Sequence, residues 1–169
     1  MEHKAFEFDW SAFDAELHPL LVDALAFNDS ASLVEHIAGH IGQLRDPYEG
    51  APLKPDWRSM LGNLDDIHTI CDFALTRYYD PKADFGIGGT WLAINEVLDQ
   101  PTQSALLGQV VGQVPEPFDP GRMGSYFQSP EMLVQSIAAL TSVNRPELRD
   151  YISFLGACHA RGHGVYVTF

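Results

Sequence analysis

The side chains best spaced for chemistry are histidines. His36 and His40 stand four residues apart, and on a helix that spacing sets two imidazoles on one face, as helical metal sites require. His159 and His163 repeat the spacing near the C-terminus, although Gly162 interrupts a helix between them. Asp65, Asp66 and His68 are further donors within one short stretch. The His36 pair has no Glu in the position where a helical zinc-protease motif carries its general base. Both of its members also fall on the flank of an apolar stripe, where a histidine bordering core and solvent needs no metal. Near a helix C-terminus, a histidine is favourable through the helix dipole alone.

Other arrangements carry less chemistry. Gly86-Ile-Gly-Gly-Thr90 precedes a helix, as a phosphate-cradling loop would, but no Lys follows the glycines and no clear strand precedes them. Tight-turn geometry accounts for it. Asp84-Phe-Gly86 matches a kinase metal-binding triplet without its companions. Gly124-Ser125 lacks the glycine spacing of a nucleophile elbow, and the adjacent Cys158 and His159 point apart on a helix. Trp10, Trp57 and Trp91, with Tyr78 and Tyr79, read as core and loop anchors before they read as a ligand cage. No catalytic residue and no cofactor emerges.

The elements that would position these groups are mostly helical. Pro19 suits the first turn of a helix and is costly inside one, so Pro19 to Phe27 is predicted as a helix of its own. Ser32 and Glu35 have the spacing of a capping box before a helix that carries Leu33, Ile37 and Ile41 and ends near Arg45. Three prolines and a glycine make residues 46–55 a surface loop. A short turn follows around Trp57 to Leu61, then a core helix whose stripe runs Leu64, Ile67, Ile70, Cys71, Ala74, Leu75 and Tyr78. Thr90 is placed to cap a helix from Trp91 to Leu98, Ser129-Pro130-Glu131 opens one through Leu140, and Pro146-Glu147 opens the last. Gly164 to Phe169 alternates as a strand, with Val165, Val167 and Phe169 expected to face the core. It must pair with another strand, and the candidates are Phe6 to Trp10 and Gln109 to Val114. The expected fold is α+β, a mostly helical single domain over residues 1–169 with a small sheet that includes the C-terminal strand.

Charge restricts the partners. The chain of 169 residues carries a formal net charge of −13, which disfavours phosphate backbones and anionic membranes, since both select for Lys and Arg. Residues 1–84 hold 16 acids against 6 Lys or Arg, net −10, whereas residues 85–169 hold 7 against 4, net −3. No apolar run approaches a membrane span, and the N-terminus lacks the pattern of a signal peptide, which leads to the expectation of a cytoplasmic protein. Cys71 and Cys158 are then expected as reduced, buried thiols.

The Trp91-bearing helix, the Ser129-Pro130-Glu131 helix start and the terminal Gly164-Val165 strand resemble the second half of the small YfbM-like proteins of unknown function. The likeness covers residues 86–169. It implies a shared scaffold and supplies no activity to carry over.

Two functions follow from these residues. One is a non-enzymatic interaction module of the immunity type, whose acidic first half meets a basic protein through Asp46, Glu49, Asp65 and Asp66. The alternative is a metal-dependent hydrolase built on His36 and His40.

Overall fold

A computed structural model describes residues 2–112, 116–121 and 123–169. Among them are eight α-helices and one three-stranded antiparallel sheet, so the fold is α+β and mostly helical. The strands are β1 (Lys4–Phe8), β2 (Ser125–Gln128) and β3 (Gly164–Thr168), in the order β1-β3-β2. The C-terminal strand is therefore the central one. Of its two candidate partners, the N-terminal segment pairs over Lys4–Phe8, and Trp10 already opens the first helix. The other candidate contributes a single bridge, Gln109 to Phe127, and its end at residues 113 and 114 lies outside the described residues.

Because side chains alternate across a strand, the register fixes what each face carries. Phe6, Tyr166 and Phe127 lie in one row across the three strands, and Ala5, Val167 and Tyr126 lie in a row on the opposite face. The aromatic row packs tightly: the Phe127 and Tyr166 rings are stacked at 5.0 Å, and Phe13 lies parallel to Phe127 at 5.3 Å. Over this face sit helices α1 (Trp10–Glu16), α2 (His18–Phe27), α3 (Ala31–His40) and α4 (Ile67–Leu75), which contribute Phe13, Leu21, Ile37 and Phe73 to the same core. Over the other face sit α5 (Trp91–Asn95), α6 (Gln100–Leu107), α7 (Pro130–Val143) and α8 (Arg149–Ala160), with Trp91, Leu106, Leu133 and Leu155. The sheet is a shared wall between two cores. That explains why Tyr166 is as buried as Val165 and Val167, whereas one-sided alternation predicts an outward face for it.

Helix starts follow their local chemistry. Ser129 accepts a hydrogen bond from the Met132 N–H, with Pro130 and Glu131 behind it, and Pro146 opens a 3-10 turn that leads into α8. The Ser32/Glu35 capping box does not form: α3 begins at Ala31, two residues earlier than that box requires, and the Asp29 carboxylate accepts from the Ala31 N–H. The expected Leu64 to Tyr78 stripe shortens to Ile67–Leu75, since Asp66 caps the helix by accepting from the His68 N–H, and Leu64 is left exposed. Thr90 stands before α5 without a side-chain cap. Helix α6 has no counterpart among the sequence expectations. Its cap, Asp99, accepts from the Thr102 N–H.

The Gly86 loop holds the outer edge of β1. A Cβ at Gly86 would lie 2.0 Å from the His3 carbonyl oxygen, so only glycine permits the approach, and Gly88 adopts φ +57° while exchanging both backbone hydrogen bonds with His3. The glycines thus serve strand pairing. They deliver Trp91 to the second core, where it is 9% exposed and packs on Phe169 at 4.7 Å. Trp91→Ala should cost about 3 to 5 kcal/mol through lost burial and the cavity left behind. A urea unfolding midpoint equal to that of the parent protein would show that Trp91 carries no such packing.

Candidate functional site

A cleft of about 530 Å³ lies between the C-terminal half of α2 and the start of α4. One wall is apolar: Val22, Leu25 and Ala26 present their side chains from α2. Pro19 stands in the first turn of this helix, and Asn28 follows its last residue with a left-handed φ of 52° that turns the chain out of the helix. The other wall is acidic, formed by Asp65, Asp66 and Glu116. The Asn63 side chain accepts from the Asp65 N–H at 3.1 Å, and Asp66 accepts from the His68 N–H at 3.2 Å and the Thr69 hydroxyl at 2.6 Å. These local bonds hold the turn in shape and leave the Asp65 carboxylate exposed.

His68 forms part of the lining. Its Nδ1 accepts from the Asp119 N–H at 3.1 Å, and its ring lies nearly parallel to Phe118. A ring nitrogen that accepts a backbone N–H carries no proton, so neutral His68 keeps its hydrogen on Nε2. Among the described residues, no Lys or Arg lies within ion-pair distance of Asp65, Asp66 or Glu116. The acidic wall keeps its field for whatever enters.

The loop at residues 46–55 divides the remaining sequence candidates. Asp46, expected at the surface as a partner-binding residue, is buried: its carboxylate accepts from the Tyr48 and Glu49 N–H groups, and its backbone closes the turn with Gly50 and Ala51. It organises the loop and faces inward. Glu49 is exposed on that loop. The Tyr48 hydroxyl titrates above its usual range, raised by partial burial first and then by the negative charges of Asp72, Asp46 and Asp66.

Asp72 has no counterpart among the sequence candidates. It lies on α4, 7% exposed, and burial followed by the neighbouring Asp46 charge pushes its carboxyl up to about 7. The signal available in the sequence was an acid inside a helix whose flanking residues, Cys71 and Phe73, are both apolar.

The histidine pairs serve as links between elements. The His36 and His40 rings lie 4.4 Å apart, yet His40 Nδ1 donates to the His36 carbonyl, and His36 Nε2 meets the Tyr78 hydroxyl at 3.3 Å. Tyr78 in turn donates to Glu16, which pairs with Arg77, so α1, α3 and the end of α4 are tied together. Burial, then the adjacent His40, lowers the His36 pKa, and burial raises Tyr78 to about 12 against the opposing Arg77 charge. His159 and His163 separate: Gly162 at φ +72° ends the helix, His159 bonds the Pro130 carbonyl, and His163 bonds Glu7 at 2.7 Å. Glu7 also takes both arms of Arg161, at 2.6 and 2.9 Å, which with His163 holds its carboxyl below the ordinary range despite partial burial.

Among the described residues, no three or more His, Cys, Asp or Glu side chains gather as a metal ion requires. Cys71 and Cys158 are buried and unpaired with each other, and burial raises both thiols, which makes them poor nucleophiles. No helix among the described residues is long and apolar enough to cross a membrane. Comparison with known proteins finds no family model, no curated protein and no solved structure that matches the chain.

Proposed function

We propose that this protein is a non-enzymatic interaction module that binds a basic protein, in the manner of an immunity protein masking a basic toxin in the cytoplasm. The observation that carries this reading is the cleft itself. Asp65 and Asp66, singled out in the sequence by charge, line its acidic wall together with Glu116, with no cationic side chain beside them among the described residues. An acidic wall in a chain of net charge −13 steers a cationic partner by long-range attraction, and a narrow, partly apolar recess fixes its orientation. The likeness of residues 86–169 to the YfbM-like proteins belongs to the same reading, as a scaffold shared by the second half.

The test is association kinetics with the partner captured from cells. The on-rate should fall steeply from low to physiological salt, and Asp65→Asn with Glu116→Gln should flatten that dependence and weaken binding by about tenfold. Asp66 is left intact because it caps α4. A salt-independent on-rate, or affinity unchanged in the double variant, would leave the acidic surface with no role beyond keeping molecules apart.

A further inference from the structure

His3 is fully buried where residues 84–88 lie along the outer edge of β1. This strap is tied to the strand it covers. The Phe85 N–H donates to the Ala5 carbonyl at 2.8 Å, the Ala5 N–H donates to Asp84 Oδ1 at 3.0 Å, and Gly88 exchanges two backbone bonds with His3. One more tie ends on a side chain: the Ile87 N–H donates to His3 Nδ1 at 3.3 Å. Nδ1 accepts only while it carries no proton, so the neutral ring keeps its hydrogen on Nε2, which faces the Leu106 carbonyl of α6 at 3.4 Å. Tyr151 of α8 and Phe169 beyond β3 meet the ring edge-on at 5.3 and 5.9 Å, and the Tyr151 hydroxyl donates to the same Leu106 carbonyl. A charged ring would bring two N–H donors to a place that offers one shared carbonyl, and would set Nδ1–H against the Ile87 N–H.

We infer that His3 is an acid-sensitive latch, which fastens residues 84–88 to the edge of β1 while its Nδ1 is free to accept and releases them when that nitrogen takes a proton from solvent. The device is separate from the acidic cleft between α2 and α4. Burial lowers the His3 pKa below the ordinary 6.5, against the weaker opposing pull of the Leu106 carbonyl and of the Asp84 charge in the strap itself. Tyr151 is the ionisable group that faces the ring from α8, and its burial keeps it neutral. The closed strap therefore binds the proton less well than the open one. Its hold is complete above pH 6.5 and is lost as pH falls toward the lowered value. Release uncovers the backbone groups of His3 and Ala5, an unpaired strand edge of the kind that other strands join.

Nuclear magnetic resonance on the intact protein tests this, following the His3 imidazole and the exchange of the Phe85, Ile87 and Gly88 amides between about pH 5 and 7.5. The imidazole should titrate below 6.5, and opening of the three amides should rise about tenfold per pH unit below that value, the slope of one proton taken up per opening. Amides of the β2–β3 ladder should keep their protection. His3→Asn, which retains an acceptor near Nδ1 and cannot be charged, should remove the pH slope at the strap. The first three readouts need only the parent protein. An imidazole that titrates at or above 6.5, strap amides indifferent to pH, ladder amides that open in step with the strap, or a slope that survives in His3→Asn overturns the latch.

Discussion

Deleting Gly164–Phe169 should yield a protein without a cooperative unfolding transition. β3 is the central strand and pairs with both β1 and β2, so its loss strands their inner backbone groups at once. Each unpaired buried group costs what a lost hydrogen bond costs, and several are created together. The deletion also removes Tyr166 from the aromatic core and Val165 and Val167 from the opposite one, leaving both helical layers facing a gap. The helices can persist as a compact, loosely packed state with retained far-ultraviolet circular dichroism, lost near-ultraviolet signal and bound hydrophobic dye. A truncated protein that unfolds at the parent temperature would mean that the helical layers hold together without their shared wall.

Asp72→Asn should make the protein more stable, and only where Asp72 would be charged. Its carboxyl titrates near 7 in the fold against 3.8 in a free chain, chiefly because burial penalises the ion. Between those values the folded protein binds more protons than the unfolded one, so stability is full at low pH and is lost as pH rises through the window from about 4 to 7. At about 1.4 kcal/mol per pKa unit the ceiling is roughly 4 kcal/mol, reached above neutrality. Asparagine has nearly the same shape and no charge to bury. The variant should exceed the parent by on the order of 2 to 4 kcal/mol at pH 8 and match it near pH 4, measured by chemical denaturation. An equal difference at both pH values would show that hydrogen bonding or packing, rather than ionisation, sets the effect.

Much of the helical layer was legible because its signals are local. Pro19, Ser129-Pro130-Glu131 and Pro146 act within one turn of themselves, and each opens a helix as expected. The Ser32/Glu35 box failed where two local signals competed, and Asp29 won by lying closer to the end of α2. Helix α6 is not legible in the sequence because its apolar residues, Ala105, Leu106 and Leu107, are consecutive at its end and show no helical spacing, and they bury against the far face of a sheet that local spacing does not reveal. The site divides along the same line. Asp65 and Asp66 reach the cleft because a polar turn before a helix faces water, whereas Asp46 turns inward to satisfy its own loop, a choice made by backbone N–H groups and invisible to charge counting. Glu116 and the apolar wall of α2 meet those aspartates only through tertiary packing, as Asp72 meets Asp46.

The pairing of β1 with β3 has a kinetic consequence. Lys4 lies opposite Thr168, so the strand that joins the two cores depends on contacts between opposite ends of the chain. Closing so large a loop is entropically costly, and pairings distant in sequence slow folding. Until that closure, neither helical layer faces a completed sheet, and the apolar rows of β1 and β2 have no paired neighbour. A sheet closed by such distant segments leaves its strand edges unpaired for longer than one closed by a hairpin. Its yield in a cell therefore depends on how quickly two distant ends meet as well as on how stable the finished sheet is.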